Sequence, residues 1–371
     1  MNLDKSINFL LENAGPVIQY RLRKEILKDI SEKEENKLLK DIYQTPYYQL
    51  LLKYVRPNGY IGIGMHSWDK FKETPLQDGE AAARLLSYYG IPKTNNVVSN
   101  FAKALNDNSI IENEFSYYNP EKARFINRNI GVKCGFSLQL LIDTCLALIG
   151  YGKNNTEETI AISFEAFTSL LKINSIDEIT KFNPKLKRKN NNPYVESDTF
   201  LPCVYHLQIL SHTETWRTIE NKALLVKAIN HQCKIMNDNN IVQAKIGNTY
   251  YAPLWALVRP LRPYETGRKD ICYRRVLTDI VKAGLGTEVD IIKTSVQNLE
   301  KDLQRDGILK MPFENNYEKR YFKLNHQWPG PYSEVALEID HKNDIKLWCE
   351  LTFWAVQFLT LATPRSIKKE K

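Results

Sequence analysis

Apolar residues recur along this chain at the spacing of amphipathic helices, and one stretch of pattern returns several times. In "EAAARLLSYYG", Ala82, Leu85, Leu86 and Tyr89 fall at i, i+3, i+4 and i+7, the stripe of one helical face, and Gly90 stops the helix. "LQLLIDTCLALIG" carries the same stripe as Leu138, Leu141, Ile142 and Cys145 before Gly150. "ICYRRVLTDIVKAG" carries it as Tyr273, Val276, Leu277 and Ile280 before Gly284. "PVIQYRLRKEIL" (16–27) and "VYHLQILSHTETW" (204–216) are weaker copies, and "DIKLWCELTFWAVQFL" is apolar nearly all round, which predicts a central position.

Each of these first helices is followed by a short connection and a second amphipathic helix. "NNTEETIAISFEAFTSLL" places Asn155 three residues before Glu158, and "GTEVDIIKTSVQNLEKDL" places Thr287 three before Asp290, both spaced as capping boxes. "RTIENKALLVKAIN" starts at Thr218 and "KTNNVVSNFAKAL" near Thr94. First helices begin near residues 17, 80, 140, 205, 272 and 344, a period of about 60 to 72 residues that exceeds the common solenoid repeats. The surplus falls in the connections between helical pairs, where a rigid scaffold tends to carry its functional groups. Only "NNIVQAKIGNTYYAP" (239–253) alternates polar and apolar residues, which predicts a β-hairpin.

The pattern therefore predicts an all-α protein of about six helical hairpins in a single domain over residues 1–364, with a basic tail at 365–371. A closed α/α toroid is the expected arrangement, with an open HEAT-like superhelix as the alternative. Closure decides the kind of site, because a ring encloses a pocket whereas an open arc offers a groove. In "YVRPNGYIGIGMHSWDKF" the turn "PNGYI" matches "RDGIL" further along, so Gly59 and Gly307 are expected at positive φ. The glycine spacing there is not that of a dinucleotide-binding loop, and no strand precedes it.

Composition narrows the class. With 43% hydrophobic and 25% charged residues in 371, the chain has the make-up of a folded globular protein. The longest apolar run, "LWCELTFWAVQFLTLA", is interrupted by Glu350 and Gln357, so no membrane span is expected, and the start lacks a secretory pattern, which points to a cytoplasmic protein. Six cysteines without a C-x-x-C pair read as reduced thiols. The net charge of +8 slightly favours an anionic partner and falls short of a nucleic-acid signature.

The hairpin period, together with the turn formed by Gln304, Asp306 and Gly307 in "LQRDGIL", resembles the α/α-toroid superfamily of terpenoid cyclases and protein prenyltransferases. Ile308 and Leu309 stand where the aromatic of the cyclase repeat is expected. The resemblance implies an inner ring of helices around an apolar cavity, an outer ring, and a ligand entering from one end. The catalytic motifs of that superfamily do not carry over, since the chain has no adjacent Asp-Asp pair. Asp143 with Cys145, and Asp270 with Cys272, each offer part of a zinc set without a third ligand, so no metal is assigned and no cofactor is named.

Candidate site residues follow from local chemistry and from the gathering of loops at one end. His66, Trp68 and Asp69 share a long loop, where a carboxylate can hold an imidazole in one tautomer and an aromatic can cover a ligand. Glu80 and Arg84, four apart at the start of a first helix, read as an ordinary ion pair or as a polar pair at the mouth of a cavity. Tyr205 and His206 occupy the most polar first helix; Cys203 and His206 are spaced for a shared metal but lack further ligands. Trp216 and Arg217 at its end suit a cation–π pair. Trp328, Tyr332, Glu338 and Asp340 precede the last helix and would share an end with His66 and Trp68. Asp69, Glu80 and Asp340 are the candidate acids of a catalytic site, with the others as ligand contacts. The expected partner is an apolar or mixed small molecule in the central cavity. The alternative is an interaction module whose basic surface grips an acidic protein or nucleic acid, and a catalytically silent ring is equally compatible with the missing motifs.

Overall fold

The structure is a computed structural model that describes residues 3–62, 64–65, 78–115, 138–152, 156–183, 193–196, 199, 201–236, 243–246, 249–251, 261–265, 271–310, 336–338 and 344–363. Among them the chain is mostly helical. The helices are α1 (Asp4–Asn13), α2 (Pro16–Arg21, continued by a π-helical turn Leu22–Leu27), α3 (Glu32–Tyr43), α4 (Pro46–Leu52), α5 (Gly79–Tyr88), α6 (Asn96–Leu105) and α7 (Asn108–Phe115). They continue with α8 (Leu138–Leu148), α9 (Glu157–Thr168), α10 (Val204–His212), α11 (Ile219–Ile235), α12 (Ile271–Lys282), α13 (Asp290–Leu303) and α14 (Asp344–Ala362).

The six predicted first helices are α2, α5, α8, α10, α12 and α14, and they pack in chain order. α5 lies on α8, α8 on α10, α10 on α12, α12 on α14, and α14 on α2 and its π-turn. α2 also reaches α5, where Arg21 Nη1 donates to the Tyr88 carbonyl at 3.1 Å. Among the second helices, α3 packs on α2, α6 on α8, α9 on α10 and α13 on α14, while α11 packs on α9. The last first-type helix finds a further cover at the opposite end of the chain, because α1 packs along α14. Three hydrogen bonds fix that seam: Ser6 Oγ to the Gly307 carbonyl (2.6 Å), Lys346 Nζ to the Asn13 carbonyl (2.6 Å), and the Gly15 amide to Glu338 Oε1 (2.5 Å).

Helix stops follow the stripe. Gly90, Gly150 and Gly284 take φ of 66°, 83° and 78° just beyond α5, α8 and α12, the left-handed geometry that satisfies the last carbonyls. Lys28, at φ 56°, takes the same role after the π-turn without glycine's freedom. Gly59 and Gly307, at 85° and 77°, fill the two equivalent turns as expected.

Helix starts correct two expectations. α9 begins behind Thr156, whose hydroxyl donates back to the Gly152 carbonyl at 2.6 Å and caps nothing; Asn155 lies outside the described residues. α13 begins behind Val289 with no side-chain cap of its own, because Asn230 Oδ1 of α11 accepts from the Asp290 amide at 2.9 Å. A neighbouring helix therefore does the work expected of Thr287. Thr218 caps α11 as predicted, and Asn95, one residue beyond Thr94, caps α6.

The expected hairpin is present as β2 (Gln243–Ile246) antiparallel to β3 (Thr249–Tyr251). A three-residue strand, β1 (Tyr194–Glu196), pairs parallel to β2 and is too short to show alternation in sequence. One continuous apolar core runs from Leu10 to Ala362, and a small satellite of Leu170, Ile176, Val195, Leu201, Ile235 and Met236 lies by the strands. Among the described residues no helix is long and apolar enough to cross a membrane. The four described cysteines, 145, 203, 233 and 349, are free thiols.

Between α8 and α9 lies a buried carboxyl with a testable consequence. Asp143 is 0% exposed, accepts from Gln139 Nε2 at 2.8 Å and from the Thr159 hydroxyl, yet burial pushes its pKa up to about 6 against both bonds. A raised carboxyl pKa favours folding while the group is protonated, and that stability is lost as pH rises from about 4 through about 6. Asp143→Asn keeps the shape, and its amide satisfies the same neighbours once the Gln139 amide turns over. The variant is expected to be more stable than the parent by roughly 2 kcal/mol at pH 7, with the difference vanishing near pH 4. Urea unfolding at both pH values checks it; a variant less stable at pH 7 contradicts it.

Candidate functional site

The first helices carry a second, polar stripe beside the apolar one. Glu80 and Arg84 stand on α5, Tyr205 and Gln208 on α10, Arg21 on α2 with Glu25 in its π-turn, and Glu350, Trp354 and Gln357 on α14. On α12 the stripe is Arg275, Asp279 and Lys282 at i, i+4 and i+7, flanked by Arg274 and Thr278. Packing these helices side by side brings the stripes together in the interior.

One part of this polar cluster begins at α5. Asp78 Oδ1 accepts from the Ala81 amide at 2.7 Å and starts the helix, which fixes Glu80 in its first turn. Arg84 Nε lies 3.1 Å from Glu80 Oε1, with Nη2 closer still, and the Tyr205 hydroxyl lies 3.1 Å from both Glu80 oxygens. Gln208 Oε1 is 3.5 Å from Arg84 Nη2. All four side chains are fully buried. Burial works against the Arg84 charge, but Glu80, Tyr88 and Tyr205 together outweigh it and raise the guanidinium above its ordinary range. Glu80 and Arg84 are thus neither a surface pair nor exposed at a mouth.

Beside it a pocket opens between α2, α5, α12 and α14. Its wall combines Arg21, Arg274, Arg275 and Lys282 with the apolar surface of Phe353 and Trp354. Arg21 is gripped by Glu25 through two bonds of 2.7 and 2.8 Å and lies 5.1 Å over the Phe353 ring. Arg274 lies 5.9 Å from the Trp354 ring centre, and that indole donates to Thr278 Oγ1 at 2.8 Å. The π-turn widens α2 where it meets this wall, a distortion common at functional sites.

Four cations face two carboxylates on the wall, Asp279 and Glu350. Glu350 turns its oxygens to the Leu337 and Glu338 amides at 2.7 and 3.3 Å, and Asp279 is 3.8 Å from Arg275. Burial raises the Asp279 carboxyl, with Arg275 first among the charges pulling the other way. At the end of α10, burial first, then Lys282, Arg275 and Arg217, hold the His212 pKa down to about 3.

Of the residues singled out from sequence, Glu80, Arg84 and Tyr205 come together. His206 does not join them: its Nδ1 accepts from the Cys203 amide at 3.1 Å, capping α10, and burial holds it neutral with a pKa of about 4. Glu338 is buried at the seam, bonded to Gly15 and 3.7 Å from Lys346. His66, Trp68, Asp69, Trp328, Tyr332 and Asp340 lie outside the described residues. Arg217 lies 6.0 Å from the Trp216 ring, the expected pair. Sequence reasoning looked to the loops and passed over Arg21, Arg274, Arg275, Asp279 and Lys282, although the i, i+4, i+7 polar stripe of "ICYRRVLTDIVK" was there to be read. Among the described residues no cluster of three or more His, Cys, Asp or Glu is arranged to hold a metal. No family model, curated protein or solved structure matches the chain.

Proposed function

We propose that the chain closes as an α/α toroid, like the terpenoid cyclase and prenyltransferase superfamily it resembles, and that its central cavity binds a small amphiphilic anion. The observation that carries this reading is the pocket wall, which sets Arg21, Arg274, Arg275 and Lys282 beside Phe353 and Trp354. A largely apolar enclosure with a few convergent polar groups is the usual form of a small-molecule site. The stepwise packing of the six first helices, with α14 returning to α2, supports closure.

Titrating the full chain with sodium decanoate, followed by tryptophan fluorescence and calorimetry, tests it. Saturable 1:1 binding is expected, weakened about tenfold or more by Arg274→Gln and by replacing decanoate with decanol. Raising salt from about 50 to 200 mM should change the affinity by less than about threefold, because an enclosed charge is poorly screened. Binding that fails to saturate, ignores Arg274→Gln, or collapses with salt as an exposed basic surface would rejects the cavity reading.

A further inference from the structure

Lys282 is the last residue of α12 and stands on the cavity wall, partly exposed to it. Among the described residues its Nζ has neither a hydrogen bond nor an ion pair, and it lies 6.0 Å from the Tyr88 ring centre. The titratable groups that face it are Arg21 and Glu25 from α2 and its π-turn, Asp279 and Arg275 from α12, neutral His212 from α10, and Glu350 of α14 on the same wall. Glu25 is already gripped by Arg21 and by Gln357 Nε2 at 3.0 Å. An amine outside any ion pair, set near guanidinium groups on a pocket wall, is an arrangement that favours a nucleophilic lysine.

We propose that Lys282 is an amine nucleophile that condenses with the carbonyl group of a small anionic aldehyde or ketone to form an imine in the cavity. The proposal rests on the cavity reading above, since the ligand must enter there. Nζ forms the C–N bond as the carbonyl π pair moves to oxygen, which takes up a proton while Nζ loses one. The C–O bond then breaks, water leaves, and the imine remains; no oxidant or reductant is consumed, and water reverses the step. Asp279, three residues earlier, shares the wall, and burial raises its carboxyl against the pull of Arg275, which suits it to the proton transfers of this step. Arg21, Arg274 and Arg275 attract the anionic group of the ligand. Burial, and next the Arg21 charge, depress the Lys282 ammonium, so free amine is present at lower pH than at a surface lysine.

The probe is pyridoxal 5′-phosphate, an anionic aldehyde, added to the full chain, trapped with borohydride and mapped by peptide mass spectrometry. Lys282 is expected to label at least about tenfold faster than the other lysines near pH 7.5, and propionaldehyde, which lacks the anion, at least about tenfold more slowly at that residue. Lys282→Arg should remove the fast phase. Should that variant misfold, competitive acetylation of the parent chain across pH decides instead: the Lys282 midpoint must lie below that of the surface lysines. Labelling of Lys282 no faster than the surface lysines, or a fast phase that survives Lys282→Arg, overturns the proposal. Decanoate binding without selective labelling rejects the imine alone; failure of both rejects the cavity as well.

Discussion

Glu80→Ala is expected to lower the unfolding free energy by about 3 to 5 kcal/mol, the usual loss when one partner of a buried ion pair is removed. The carboxylate is the counter-charge of a guanidinium with no exposed surface, and it also takes the Tyr205 hydroxyl. Without it, Arg84 is a buried cation whose Nη1 already lacks a protein acceptor among the described residues. Glu80→Gln should lose less, since the amide oxygen still accepts from Tyr205 and Arg84. Converting the pair together, with Glu80→Leu and Arg84→Met, should recover most of the loss, because desolvating two charges offsets much of their attraction. Urea unfolding of the three variants decides it. A loss below about 1 kcal/mol for Glu80→Ala would mean that water reaches the pair as at an exposed i,i+4 site.

What was legible in sequence was local. The stripes of α5, α8 and α12 and their glycine stops appear where "EAAARLLSYYG" and its copies put them, because a helical face and a left-handed residue are set by near neighbours. Glu80 and Arg84 were visible as a pair, but their burial depends on Tyr205, 125 positions away, and no local rule encodes that. Asn230 capping α13, and His206 capping α10 where Glu or Gln is usual, escaped for the same reason. The cavity wall draws Arg21 from the beginning of the chain and Trp354 from near its end, so its parts could be noticed singly but not assembled. α1 shows only another apolar face; that it covers α14 follows from what the rest of the fold leaves open.

That seam sets the second large expected effect. Gly307→Ala should cost about 3 kcal/mol, whereas Gly150→Ala at nearly the same backbone geometry should cost about 1 to 2. Both residues are left-handed, at φ 77° and 83°, so both variants carry the strain of a Cβ in that region. They differ in surroundings. A Cβ on Gly150 meets nothing nearer than Lys93 Cβ at 3.9 Å, but on Gly307 it meets Lys5 Cβ at 2.7 Å and the Ser6 amide nitrogen at 2.9 Å. Backbone of α1 must move, which also breaks the 2.6 Å bond from Ser6 Oγ to the Gly307 carbonyl. Urea unfolding should separate the two variants by at least about 1 kcal/mol, and limited proteolysis should cut the first fifteen residues faster in Gly307→Ala alone. Because α14 carries Glu350, Trp354 and Gln357 on the cavity wall, loosening its cover should also weaken decanoate binding, while Gly150→Ala leaves it unchanged. Equal losses in the two variants would show that α1 yields without cost and that α14 is held by its other neighbours.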